Sequence, residues 1–222
     1  MGTAKAGVVD TLGTPTATYT TIGNLPTWGG TGSDTQDATF TAYIDFDANP
    51  IGGDREVIWE SGAGGTGTSL IYEEDNTLRF RTRQGGGSGG TVDLSYQLTT
   101  DQITAGELFV AWVIDMGTDE LRLIMDGPSG PEVVASLPYT FTDWSGGNAA
   151  GFGASTTNVG GYGDGDQFQA EPFASGTINT TLGLAFYEGD AYLPSPVPEP
   201  LGLVAGFAAF GFTILRRRRP GQ

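Results

Sequence analysis

The stretch "TFTAYIDFD", residues 39–47, constrains the fold more than any other feature of the chain. Phe40, Ala42, Ile44 and Phe46 fall on one side, and Thr39, Thr41, Tyr43, Asp45 and Asp47 on the other. A period of two marks a strand with one buried face. Strand-like segments then recur: "REVIWE", "SLIYEEDNTLRFRTR", "TVDLSYQL", "ELFVAWVID", "ELRLIMDG", "EVVASL" and a late strand "GTINTTLGLAFYEG". Earlier strands are expected near Val8–Asp10 and Thr16–Thr20. Val92, Leu94, Tyr96 and Leu98 are in phase, and the run "LFVAWVI" is apolar on both faces, as in a central strand covered on both sides. A hairpin is predicted to turn at Asp75–Asn76, with Leu78 and Phe80 inward and Arg79, Arg81 and Arg83 outward.

About a dozen strands, with glycine-rich breaks at intervals of roughly ten residues, predict an all-β fold. They are too many for a simple immunoglobulin-like domain, and a two-sheet antiparallel jelly-roll sandwich fits better. The 37 glycines and the scarcity of Ala/Leu/Glu/Lys-rich runs before the last two dozen residues argue against helices in the body.

The residue inventory excludes much chemistry. There is no cysteine and no histidine, which removes disulfides, thiol catalysis, Cys/His zinc sites and Ser-His-Asp triads. Lys5 is the only lysine. All but one of the 26 acids and all but four of the 10 bases lie in residues 1–198, so this body carries a formal charge of −19. Such a body repels nucleic acid, which is bound by neutralising phosphates. Acidic surfaces suit solvated, exported proteins and cation binding, although acids also serve solubility alone.

Candidate ligand-contacting residues are few. Arg79, Arg81 and Arg83 share one strand face, where they either grip an anionic glycan or answer Glu73, Glu74 and other acids on neighbouring strands. Asp164 and Asp166, in "NVGGYGDGDQF", offer two carboxylates to calcium, or form an ordinary turn. Trp59 and Trp112 lie in strand patterns and are expected in the core. Trp28 in "LPTWGG" and Trp144 in "FTDWSGGN" lie in loops and are the candidates for glycan stacking.

The segment "ITAGELFVAWVIDMGTDELRLIMDG" resembles the middle of laminin-G-like domains of the concanavalin A-like lectin/glucanase fold. Ala111, Asp115, Leu121, Leu123, Asp126 and Gly127 match, while Leu108 stands where that family usually has tryptophan. "FTAYIDFDA" and "FASGTINTTLGLAFYEG" resemble its early and closing strands, so the resemblance spans about residues 38–190. It implies a concanavalin A-like sandwich whose relatives include glycan binders, adhesion modules and enzymes. Glucanases of this fold carry Glu-x-Asp-x-x-Glu on one strand, and no such triplet occurs here. Asp45/Asp47 and Glu73/Glu74 are the nearest acids, with Glu73 and Glu74 expected on opposite faces, and a non-enzymatic protein is expected.

The chain ends "LPSPVPEPLGLVAGFAAFGFTILRRRRPGQ". Leu201–Leu215 contains no charged residue and makes a helix of about 22 Å, short for a bilayer core of about 30 Å. Arginine snorkelling and local thinning reduce that mismatch. The positive-inside rule keeps Arg216, Arg217, Arg218 and Arg219 cytoplasmic and the acidic body outside. In its order, the tail resembles the PEP-CTERM sorting signal of Gram-negative bacteria. Pro198, Glu199 and Pro200 match the tripeptide, Leu201–Leu215 the membrane segment and Arg216–Arg219 the basic end.

That resemblance implies export, anchoring in the inner membrane, and cutting by an exosortase near the tripeptide. Delivery to the envelope, cell surface or extracellular matrix follows, often alongside exopolysaccharide. At the other end, "MGTAKAGVVDTLG" lacks the apolar core of an export signal, and "AKAG" matches the small-residue end of one whose start would lie upstream.

The expected organisation is residues 1–37 as N-terminal strands or an extension of the sandwich and 38–192 as the sandwich itself. Residues 193–200 form a spacer with four prolines, 201–215 a transmembrane helix and 216–222 a basic cytoplasmic tail. The expected function is adhesion or glycan binding by an exported protein, and the alternative is a purely structural matrix protein with no ligand site.

Overall fold

The alternation legible in the sequence is realised segment after segment. The computed structural model describes residues 8–25, 35–49, 55–63, 66–83, 90–140, 142–144, 149–154 and 171–195. The first sheet contains β2 (Ala17–Tyr19), β4 (Ala38–Phe46), β9 (Glu107–Asp115), β10 (Glu120–Gly127), β11 (Gly130–Pro138), β14 (Gly176–Ile178) and β15 (Leu184–Glu188). Its order is β11-β10-β9-β4-β15-β2, with β14 also paired to β4. The second contains β3 (Gly23–Leu25), β5 (Glu56–Ala63), β6 (Thr66–Tyr72), β7 (Thr77–Arg83), β8 (Thr91–Gln97), β12 (Ala149–Phe152) and β13 (Glu171–Pro172). Its order is β3-β12-β5-β6-β7-β8, with β13 on β5. A separate pair joins β1 (Val8–Val9) to β16 (Ala191–Tyr192). Pairing between these strands is antiparallel except for β1 with β16 and β13 with β5, which are parallel. The protein is an all-β, two-sheet jelly-roll sandwich.

The inward faces follow the period of two. Phe40, Ala42, Ile44 and Phe46 of β4 meet Trp59, Leu70, Tyr72, Leu78 and Phe80 of the second sheet in one core. Phe40 sits at its centre, 4.3 Å from the ring of Trp59, 4.9 Å from Phe186 and 5.8 Å from Trp112. Each fully buried aromatic of this kind contributes roughly 2–3 kcal/mol by leaving water. Trp59 and Trp112 are core residues, as their strand patterns predict.

β9 is central in the first sheet and covered on both sides, as its doubly apolar run requires. Leu108, Val110, Trp112 and Ile114 face the second sheet. Phe109, Ala111 and Val113 face outward, against Ile124, Ala191, Tyr192, Leu12 and Tyr43. The outer cover is thus supplied by the β1–β16 pair and the residues beside it.

One end of the first sheet is fixed by buried charge. Asp115 closes β9, and its Oδ1 accepts the N–H groups of Gly117 and Thr118 at 2.8 Å each, forming the turn into β10. Its Oδ2 accepts Nη2 of Arg122, whose Nε donates to Glu120. The Tyr139 hydroxyl donates to the Asp115 carbonyl, and Asp37 accepts the Met116 N–H at 2.7 Å. Burial by itself would raise the Asp115 carboxyl. The Thr118 N–H, the Arg122 guanidinium and the Thr118 hydroxyl outweigh it and hold the group below the usual carboxylate range.

Two local expectations need correction. The late strand read from "GTINTTLGLAFYEG" is two strands, β14 and β15, parted by a turn. Asn179 makes that turn by accepting the N–H groups of Thr181 and Leu182 on its side-chain oxygen. Gly183 ends it at φ +69, where a Cβ would lie 2.3 Å from the Tyr19 carbonyl oxygen, so only glycine fits. A short helix, α1 (Thr100–Thr104), was also unforeseen, and Thr99 with Gln102 forms its capping box. The expected helix at 201–215 lies outside the described residues, and among those described no helix is long and apolar enough to cross a membrane.

Candidate functional site: the arginine strip of the second sheet

The strip is a consequence of alternation in β7. Leu78, Phe80 and Thr82 are buried inward, which turns Arg79, Arg81 and Arg83 to the other face. Register then sets their neighbours: Arg79 lies between Ile71 and Ser95, Arg81 between Ser69 and Asp93, and Arg83 beside Thr91. The hairpin before β7 is held firmly. Asn76, at φ +64, donates its N–H to the Glu73 carbonyl, and its side-chain oxygen accepts the Tyr72 hydroxyl at 2.7 Å and the Asn49 N–H at 2.7 Å. Burial, with Glu56, Asp47 and Asp75 nearby and partly opposed by the Asn49 backbone, pushes the Tyr72 phenol up to about 12.

Charges on the strip are paired. Glu73 spans two arginines, with Oε1 2.8 Å from Nε of Arg79 and Oε2 2.8 Å from Nε of Arg55. Arg81 grips Asp93 with two prongs, Nε to Oδ1 and Nη2 to Oδ2 at 2.6 Å. The expectation that acids answer these arginines therefore holds for Glu73 and Asp93. Glu74 is exposed, as are Asp45 on β4 and Asp47 just beyond its end.

Accessibility is graded across the face. Val57, Ile71, Ser69 and Glu60 on the β5–β6 half are buried. The β7–β8 half opens to solvent, with the Arg79 and Asp93 side chains 27% and 34% exposed. Beyond Glu73, the Arg79 side chain makes no hydrogen bond or ion pair to the described residues, and it is about a quarter exposed. A guanidinium presents its donors in a planar fork that matches a carboxylate.

Trp144 does not belong to any such surface. Its ring is 1% exposed, its Nε1 donates to the Gln36 carbonyl at 2.9 Å, and it packs edge-on against Phe40 at 6.3 Å. Its loop position concealed a core residue, and a glycan contact at Trp144 is ruled out by burial. Trp28, Asp164, Asp166, Pro198, Glu199, Pro200 and Arg216–Arg219 lie outside the described residues. Among the described residues no group of three or more acids is placed to hold a metal ion. Sequence reasoning missed the Asp115–Arg122 pair, because Asp115 ends an apolar run that reads as a plain strand terminus.

The sequence matches no family model and no curated protein. Solved structures similar to it include the CBM40 module of a Ruminococcus gnavus IT-sialidase bound to α2,3 sialyllactose, at 15% identity and a TM-score of 0.46, covering 70% of this chain and 77% of that one. A heptameric SAP-like pentraxin from Limulus polyphemus is similar at 14% identity and a TM-score of 0.45, over 81% of this chain and 74% of that one. A leech intramolecular trans-sialidase is similar at 15% identity and a TM-score of 0.45, over 71% of this chain but 22% of that one. The chain is a β-sandwich built as two packed sheets with one charged, partly open outer face.

Proposed function

We propose that this chain is an exported envelope or matrix protein, moored in the inner membrane by its C-terminal segment until an exosortase cuts near Pro198-Glu199-Pro200. Its sandwich then works without catalysis, contacting anionic glycan through the arginine strip. The observation that carries this reading is the order of parts. The last described strand, β16, ends at Tyr192, and the proline-rich spacer, tripeptide, uncharged segment and four arginines follow. A removable anchor has to lie outside the body it releases, and the described strands all precede it. The glycan contact is supported by the partial exposure of the Arg79 side chain on the open half of the second sheet.

A purely structural matrix role is favoured by a different observation: Arg81 is already held by two prongs to Asp93, as a strand-fastening residue would be. Mass spectrometry of the protein recovered from its native host tests the processing, and retention of residues 201–222 in the exported form would refute it. A glycan array separates the two roles of the sandwich. Binding to anionic glycans that Arg79→Gln abolishes supports contact, and silence across anionic and neutral glycans supports the structural role.

A further inference from the structure

A strand at the border of a sheet keeps one row of backbone N–H and C=O groups without a neighbour, and folded proteins blunt it by shortness, proline or a bulge. Four strands border the two large sheets: β2, β11, β3 and β8. β2 and β3 are three residues long each. β11 carries Pro131 and Pro138 and slips register against β10 between Leu123 and Ile124. β8 has none of these devices. It runs for seven residues without proline, in unbroken register from Arg83–Thr91 to Thr77–Gln97.

The phase of the β7–β8 ladder shows which groups are left over. Leu98 donates its N–H to the Asn76 carbonyl at 3.0 Å, so the bonded pairs that follow are Leu78–Tyr96, Phe80–Leu94 and Thr82–Val92. Thr91, Asp93, Ser95 and Gln97 therefore turn their N–H and C=O groups away from β7, toward the open side. All four residues are exposed, and no hydrogen bond among the described residues reaches those backbone groups from that side.

We infer that β8 is a self-association edge, to which a second copy of this chain adds its own β8, antiparallel, across a two-fold axis at Leu94. In this register Thr91 meets Gln97 and Asp93 meets Ser95 of the second copy. The free groups of both strands then coincide, for roughly eight backbone hydrogen bonds. On the inner side Val92 meets Tyr96 and Leu94 meets its own counterpart, which extends the apolar face lining the core. Moving the axis to Asp93 sets two carboxylates opposite each other, and moving it to Ser95 leaves Thr91 without a strand residue to pair with.

Charge selects a second copy as the occupant. The chain carries a formal charge of −16, so two copies can meet only where acids are few or answered. Asp93 is the one charged residue of β8, and Arg81 already holds it by two prongs. Arg79, on the next strand, is answered by Glu73. The edge thus offers no unmet charge to a charged foreign strand and asks for none from a copy of itself. In the joined sheet the two β7 strands lie three strand spacings apart, about 14 Å, with both arginine strips on one face. The dimer depends neither on the glycan contact nor on the processing.

Sedimentation equilibrium of the full-length chain, in a detergent matched in density to the solvent, should show monomer and dimer in a concentration-dependent balance. Hydrogen exchange at the Asp93 and Ser95 amides should slow as concentration rises. Ser95→Pro removes an outward N–H, which an edge strand tolerates, and should abolish the dimer while the melt of the sandwich stays in place. Ser95→Asp stands beside Arg79 in its own chain but opposite Asp93 of the other, twice per dimer. It should weaken association about tenfold, and it decides the question if Ser95→Pro does not fold. A monomer at every concentration overturns the inference. So does a dimer that Ser95→Asp leaves equally tight, the result expected of association through another surface.

Discussion

Arg122 Nη2 donates to Asp115 Oδ2 across 2.5 Å, at a place where the two side chains are 3% and 1% exposed. Arg122 Nη1 finds no partner among the described residues, so the guanidinium depends on this contact and on Glu120 for its compensation. Asp115→Asn leaves that buried cation facing a neutral amide. The expected loss is about 3–5 kcal/mol of stability, read from denaturant unfolding. A loss within a few tenths of a kcal/mol would mean that the pair is not buried as described.

The same carboxyl sets an acid limit. The Asp115 pKa is lowered on folding, so its contribution is fully present above the unfolded value of about 3.9 and fades as pH falls through the lower folded value. The stability gap between wild type and Asp115→Asn should therefore be constant from neutral pH down to about pH 4 and narrow below it. Paired melts across that range measure the gap, and one that widens in acid contradicts the assignment.

Tyr72 sets a corresponding alkaline dependence. Its phenol titrates at about 12 in the folded protein and at about 10 when unfolded. The stability gained by keeping it neutral is complete below pH 10 and declines between those values. Tyr72→Phe removes the hydroxyl whose single proton is shared between the Asp47 carbonyl and Asn76 Oδ1, at a cost of about 0.5–1.5 kcal/mol. It should also fall off less steeply than wild type above pH 10, which urea unfolding in alkaline buffers checks.

Trp144→Ala should behave as a core truncation. With the ring at 1% exposure against Phe40, the expected destabilisation is about 3–5 kcal/mol. Glycan binding per folded molecule should be unchanged, and a selective loss of binding with normal stability would return Trp144 to the surface.

Legibility from sequence followed the range of the interactions. β4 and β7 were readable because period-two alternation is local, and it placed Phe40 inward and Arg79 outward correctly. The β14–β15 break was harder, since Asn179 and Gly183 act through a turn whose tightness depends on Tyr19 of a distant strand. Helix α1 carried a visible signal in Thr99 and Gln102, overshadowed by the strands around it. Trp144 was not readable at all: its partner Gln36 is 108 residues away, and nothing in "FTDWSGGN" announces burial. Asp115 looked like a strand end because its partner, Arg122, lies across a turn.

The parallel course of β1 and β16 also fixes how the sandwich bears traction. A pull on the chain beyond Ser195, directed along β16, loads the bonds from Leu193 to Val9 and from Tyr192 to Thr39 side by side. Thr39 belongs to β4, itself flanked by β9 and β15, so the strain passes into the middle of the first sheet instead of peeling an edge.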